Sequence, residues 1–147
     1  MTKRELIMQI RSAKAAHIRC MSWVQDQVRS FKTNETPIET TIAKTDCDFG
    51  KWYANEGQIL ADFPNFIALD EPHQKVHEIN EEICNIGATQ LKGSLFSSKK
   101  NKIMKRNRQI DTLMEQFNNQ VVFINETFDL LEHEILNMSD ESVEKLV

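Results

Sequence analysis

Apolar residues recur at alternating spacings of three and four along much of this chain, which is the period of amphipathic helices. A first segment follows this pattern from Leu6 to Phe31 and carries His17 and Cys20 on its apolar face. The clearest stretch lies near the C-terminus and has no polar interruption; its positions are Ile110, Met114, Phe117, Val121, Ile124, Phe128, Leu131, Ile135 and Met138. The pattern therefore predicts a long helix near each end of the chain.

Two further helices are predicted between these segments. Thr36-Pro37-Ile38-Glu39 has the pattern of a capping box with proline at the first helical position, so a second helix is predicted to start there. Its small residues would form one stripe suited to close backbone approach; they are Ala43, Cys47, Gly50, Ala54, Gly57 and Ala61. Asp70-Glu71-Pro72 marks the start of a third helix, whose face runs from His73 to Leu91.

Four helices with short connections predict an all-α fold, an antiparallel four-helix bundle. We expect the bundle to cover residues 1–138 as one domain. The apolar period is lost after Asn137, so residues 139–147 are predicted to be a short, disordered and flexible C-terminal tail.

Composition limits the classes of function. The chain has 147 residues, 40% of them hydrophobic, and a formal net charge of −4, so the whole chain is not expected to bind nucleic acid. No apolar run approaches the ~18 residues of a membrane span, so no membrane insertion is predicted. The absence of an apolar export signal predicts a cytoplasmic location, where cysteines favour metal or redox chemistry over disulfides.

One local charge pattern departs from the acidic average. Seven cations and no acid lie between Glu82 and Asp111, in a block that runs from Lys92 to Arg108. Such a block either attracts a phosphate-bearing or acidic partner or is simply the solvated start of a helix.

Histidine and cysteine positions suggest a metal site. His73 and His77 are one helical turn apart and can reach one ion, although two surface or interface histidines would have the same spacing. Cys47 and His17 are each consistent with ordinary core residues. Taken together, these four residues lie on the core-facing stripes of three successive predicted helices. Three imidazoles and one thiolate would form a closed tetrahedral Zn²⁺ shell.

The surroundings of Cys47 add a more specific signal. The segment Cys47-Asp48-Phe49-Gly50-Lys51-Trp52, with Gly57 beyond it, resembles the cysteine motif of the chemoreceptor zinc-binding domain family. Pro64 to His77 resembles the family's approach to its paired histidines, and Ala16-His17 resembles its first-helix histidine. The resemblance covers roughly residues 5–137. It implies that His17, Cys47, His73 and His77 are the zinc ligands, in a helical bundle that is often dimeric.

Some positions depart from the family's pattern or stand beside it. Cys20 occupies a position where the family commonly has tryptophan, so it is either a core replacement or a second thiol near the metal. Trp52 is a further candidate for a residue next to the ligands. Cys84 lies two turns beyond His77 and is interpreted as core, and His133 is predicted to face solvent.

A closed four-ligand shell leaves no open position for substrate, and no glutamate lies between His73 and His77, so we do not expect an enzyme. The resemblance implies an input module for chemoreceptors or diguanylate cyclases in bacterial signalling and chemotaxis. We therefore predict a zinc-binding sensor of zinc or thiol oxidants, with Cys47 as its redox switch, acting through a partner or as a homodimer. The alternative is an interaction or scaffold protein with a purely structural zinc.

Overall fold

The computed structural model describes residues 1–39, 46–96 and 98–147, which contain helices and no strand. The α-helices are α1 (Lys3–Asn34), α2 (Asp48–Ala54), α3 (Pro64–Ile67), α4 (Asp70–Ala88), α5 (Lys99–Asn137) and α6 (Asp140–Glu144), with a 3₁₀ helix at Glu56–Leu60. The all-α prediction is confirmed. No helix in the described part of the chain combines the length and apolarity that crossing a bilayer requires.

The three long helices α1, α4 and α5 pack against one another, and α1 runs antiparallel to α5. Arg11 pairs with Glu132 near one end of the two helices, and Lys32 pairs with Asp111 near the other. Exposed ion pairs of this kind contribute little free energy, so they report the register of the helices more than they stabilise it. Stability comes from the apolar side chains between the helices.

The C-terminal apolar seam lies in the core as predicted. Six of its nine positions are completely buried, namely Ile110, Phe117, Ile124, Phe128, Leu131 and Ile135. The other three, Met114, Val121 and Met138, are partly buried against the same core. On α1 the predicted face is buried except at Cys20, which is half-buried. Helix periodicity therefore placed both long terminal helices and their inward faces correctly.

The predicted second helix does not begin at Thr36. Glu35 has a left-handed backbone (φ 55°) that ends α1, and the following described residues to Glu39 are not helical. Residues 40–45, where the stripe of small residues would begin, lie outside the described residues. The next helix in the described part of the chain is α2, and from there the chain passes through the 3₁₀ helix and α3 instead of one long helix. The antiparallel four-helix bundle as a whole remains a prediction.

The glycine stripe has a different role from the one predicted. Gly57 lies in the 3₁₀ helix, where an added Cβ would be 2.9 Å from the carbonyl oxygen of Trp52 and 3.0 Å from Cε2 of Phe66. The close approach is therefore made within this block of short helices. It brings Trp52 and Phe66 together, with ring centroids 5.7 Å apart.

The prediction of a disordered C-terminal tail is wrong. Ser139 caps α6 by accepting a hydrogen bond from the backbone N–H of Ser142 at 3.1 Å. Val143 on that helix is only 1% exposed, and Asp140 pairs with Lys3 at 3.2 Å. A capped turn with one buried apolar side chain is enough to hold this segment against the start of α1. The division of the chain into a domain over residues 1–138 and a separate segment over residues 139–147 stays a prediction.

Candidate metal centre

The two histidines of α4 lie close together at its N-terminal end. His73 and His77 are one turn apart, and their Nε2 atoms are separated by 3.0 Å with the rings nearly perpendicular. His73 is 1% exposed, whereas His77 is half-buried at the edge of the core. Helix α4 thus presents two imidazole nitrogens to one point, as the spacing predicts.

Cys47 approaches these histidines from another segment. It is the N-cap of α2, and its Sγ accepts a hydrogen bond from the backbone N–H of Gly50 at 3.2 Å. The same Sγ lies 3.1 Å from Nε2 of His73. The ligand atoms of Cys47, His73 and His77 all lie within 4.8 Å of one another. The structure therefore gathers three of the four predicted ligands.

His17 lies beside this group without joining it as closely. It comes from α1, is 1% exposed, and its ring centroid is 6.0 Å from that of His73. Its Nε2 is buried and has no hydrogen-bond partner among the residues that the structure describes. Burial, with a smaller contribution from the charge of His77, lowers the pKa of His17 to about 4. The ring is therefore neutral near pH 7, which is the state in which imidazole binds metals.

An aromatic wall closes the inner side of the site. Phe49, the second residue after Cys47, meets the His73 ring edge-on with centroids 4.3 Å apart. It also contacts Phe128 of α5 at 5.2 Å and His17 at 5.6 Å. Phe49 is therefore a site residue that the sequence analysis assigned only to the motif. Its position within that motif was the available signal for a role in packing the ligands.

The three cysteines differ in their surroundings. Burial raises the pKa of the Cys47 thiol, and the hydrogen bond from Gly50 opposes this shift. Burial, followed by the proximity of Cys47 and Asp48, raises the pKa of Cys20 to about 11, so that thiol stays protonated near neutral pH. Cys20 is outside the group of three ligand atoms. Cys84 is half-buried, with Sγ 3.8 Å from Oδ1 of Asn80, and is also outside it.

Two other predicted positions can now be located. Trp52 follows Phe49 on α2, and its indole Nε1 is buried with no hydrogen-bond partner in the described part of the chain. The ring centroids of Trp52 and Phe49 are 6.1 Å apart. Trp52 therefore packs against the aromatic wall through Phe49. His133 is exposed on α5, as predicted.

The donor set fits a zinc ion. Ligands of one tetrahedral zinc stand about 3.3–3.6 Å apart, given Zn–N bonds of about 2.0–2.1 Å and a Zn–S bond of about 2.3 Å. The separations of 3.0 and 3.1 Å around His73 are close to that range. The buried Nε2 of His17 has no hydrogen-bond partner in the described part of the chain, and such a buried polar atom is costly unless it is satisfied. One cation would satisfy the whole group.

Comparison with known families agrees with the motifs. Residues 17–84 match the family model of the chemoreceptor zinc-binding domain. The match contains all four predicted ligands, and it confirms the resemblance over a range narrower than the predicted 5–137. Comparisons with curated proteins and with solved structures found no match in either group.

Proposed function

We propose that this chain, which belongs to the chemoreceptor zinc-binding domain family over residues 17–84, is a regulatory module that binds one Zn²⁺. The ligands are Cys47, His73, His77 and His17. The observation that carries the proposal is the grouping of one sulfur and two imidazole nitrogens within 4.8 Å, beside the buried Nε2 of His17, which has no hydrogen-bond partner among the described residues.

Zinc bound by this set would supply a cross-link between chain segments that are far apart in sequence. His17 belongs to α1, Cys47 precedes α2, and the paired histidines belong to α4. The segment that contains Cys47 is short and made of small helices, so it depends more on such a link than the long helices do. Gain or loss of the ion would therefore act first on α2 and its neighbours.

A regulatory role is favoured over catalysis by the donor set. Four protein ligands fill a tetrahedral shell and leave no position for water or substrate. Three of these ligands are neutral imidazoles and one is a thiolate, so Cys47 supplies the only oxidisable ligand. Peroxide would transfer one oxygen atom to its Sγ, form a sulfenic acid and leave as water, which removes the ligand. We propose that the protein responds in this way to zinc availability or to oxidants.

The signal would reach a partner or a second copy of the chain in the cytoplasm of a bacterial cell. A chemoreceptor or a diguanylate cyclase is the partner class that the family suggests, and a homodimer is the alternative route. Sedimentation velocity across a range of protein concentrations tests the homodimer. A concentration-independent monomer, with and without zinc, would exclude it.

Metal analysis tests the site directly. Elemental analysis of the purified chain should find one zinc per chain, and Cys47→Ala should lose most of it. Cys84→Ala is the matched control, since it removes a half-buried thiol outside the cluster and should retain the metal. Equal zinc content in the two variants would contradict the assignment of Cys47.

Exchange kinetics test regulation separately from binding. A sensor must release its ion from the folded protein, so a mild chelator should remove zinc while the helical circular dichroism signal persists. Peroxide should release zinc from the wild-type chain, and a chain in which only Cys84 is replaced should respond equally. Zinc that leaves only on unfolding would indicate a structural ion and end the sensing proposal.

A further inference from the structure

The connection between α4 and α5 carries an unusual apolar tip. Leu95 and Phe96 are adjacent and each is 98% exposed, so neither side chain has even partial cover. Apart from Val147 at 76%, the other exposed large apolar residues keep about half of their surface covered, for example Val122 at 55% exposed and Phe123 at 49%. A single exposed leucine needs no explanation, but two adjacent apolar side chains that are both almost fully exposed form an apolar patch, and such patches often mark interaction sites.

Positive charge surrounds this tip. Of the 18 lysines and arginines in the chain, seven lie in residues 83–110, and none of the 22 acids does. Residues 83–110 therefore carry a net charge of +7. The rest of the chain carries 11 cations and 22 acids, a net charge of −11. Lys92 precedes the tip, and Lys99 and Lys100 follow it at the start of α5, all three exposed.

Most of these cations form no ion pair with a residue that the structure describes. Arg106 is committed to the fold, because its guanidinium forms a two-point ion pair with Glu35 at 2.6 and 2.9 Å and stacks over Phe31. Lys102 donates to the carbonyl oxygen of Lys92 and so holds the loop against α5. Lys99 also lies near Glu35, because the pKa of that carboxyl is lowered by Arg106 and, to a smaller extent, by Lys99. The cations without an acidic residue in their own segment or such a neighbour are Lys92, Lys100, Lys105 and Arg108.

The tip stands at one end of the molecule, away from the metal centre. The Arg106–Glu35 pair marks this end, and the Lys3–Asp140 pair marks the opposite end. Ala88, the last residue of α4, is 11 positions beyond His77, which corresponds to about 17 Å of helix. A partner seated on the tip would therefore leave the ligands untouched.

Exposure and chemistry together favour one occupant. The feature consists of two adjacent apolar side chains that are almost fully exposed and exposed lysines that flank them in sequence. A bilayer interface accepts such a feature without a matching pocket: the apolar side chains enter below the headgroups while ammonium groups meet lipid phosphates. We propose that the Leu95–Phe96 tip and its flanking lysines dock this protein peripherally onto an anionic membrane surface.

Vesicle co-sedimentation of the full chain tests the proposal. Vesicles of phosphatidylcholine containing about 30% phosphatidylglycerol should pellet the protein at low salt, whereas phosphatidylcholine alone should not. Raising the salt from about 50 to about 500 mM should release it. The double variant Leu95→Ser/Phe96→Ser should weaken partitioning at least about tenfold. The matched control is Val122→Ser/Phe123→Ser, which changes an exposed apolar pair on α5 outside the tip. This variant should bind vesicles as the wild type does.

A charge reversal tests the electrostatic part without endangering the fold. Lys100→Glu places an acid in the first turn of α5, which favours the helix, yet it should weaken partitioning by at least about fivefold. Arg4→Glu makes the same change at the opposite end and should have no effect. Zinc content should be unchanged in every variant, so failure of this proposal is distinguishable from failure of the metal site.

Three outcomes would overturn the proposal. The first is equal binding to neutral and anionic vesicles, or no binding to either. The second is wild-type partitioning by Leu95→Ser/Phe96→Ser. The third is tighter binding to heparin or a DNA oligonucleotide than to vesicles, with no dependence on Leu95 and Phe96, which would indicate a general polyanion site. Insertion itself is checked with Phe96→Trp, whose fluorescence brominated lipids should quench.

Discussion

Replacing His17 with leucine should have opposite effects in the metal-free and zinc-loaded protein. In the metal-free protein the buried Nε2 has no hydrogen-bond partner in the described part of the chain. An unsatisfied buried polar atom costs about 1–3 kcal/mol. Leucine removes that atom and fills a similar volume, so the metal-free variant should be as stable as the parent or more stable, by up to about 2 kcal/mol.

Zinc should reverse the sign of this effect. Even residues that only support metal ligands contribute about 10–100-fold to affinity, so losing a direct ligand should weaken binding by at least about 100-fold. At a free zinc concentration of about 1,000 times the parent's Kd, the ion stabilises the parent by about 4.1 kcal/mol. The same concentration would be only about 10 times the variant's Kd and would stabilise it by about 1.4 kcal/mol. The zinc-dependent stabilisation should therefore fall by about 2.7 kcal/mol.

Urea unfolding followed by circular dichroism measures both quantities, once in a chelator and once in buffered zinc. His133→Leu is the matched control, because His133 is exposed and should change stability by no more than about 0.5 kcal/mol in either condition. If His17→Leu destabilised the protein equally with and without zinc, His17 would be an ordinary packed core residue. The four-ligand assignment would then be wrong.

Three further changes test the fold around the site. Gly57→Ala should destabilise by about 1–3 kcal/mol in thermal unfolding, because its Cβ would lie 2.9 Å from a backbone oxygen; Gly93→Ala, with 3.6 Å to its nearest atom, should be neutral. Val143→Asp should cost at least about 2 kcal/mol in urea, and an unchanged midpoint would show that α6 is not docked. Arg106→Met should cost about 1–2 kcal/mol through loss of its half-exposed ion pair, whereas Arg108→Met should leave the midpoint unchanged.

The parts of the fold that were predictable are those in which one strong periodicity lasts for many turns. The seam from Ile110 to Met138 repeats often enough that no other secondary structure accommodates it, and α5 follows it closely. The interval from Thr36 to Ala61 has a weaker signal made of small residues. Such residues bury little apolar surface, so tertiary contacts decided the local structure in the described part of this interval, residues 46–61. A helix-like spacing of alanines and glycines is compatible with several short helices as well as with one long helix.

The tail after Ser139 was misjudged for a related reason. Its sequence offers one buried apolar position, Val143, and one partly buried position, Leu146, and two positions are too few for a periodicity to be detected. The serine cap and the start of α1 nevertheless provide a surface for it. Short terminal helices depend on what they pack against, and that surface is assembled from residues far away in the sequence.

The metal centre shows which part of a site local sequence can specify. The pair His73 and His77 needs only helix geometry, so its convergence followed from spacing alone. Cys47 required the motif, because its approach depends on the short α2 and on the N–H of Gly50. His17 lies on a correctly predicted helix face, but the face does not fix how far along its axis α1 is placed against α4. The axial position of α1 relative to α4 decides whether His17 reaches the metal. Helix periodicity does not fix this position, and the zinc dependence of the His17→Leu effect tests it.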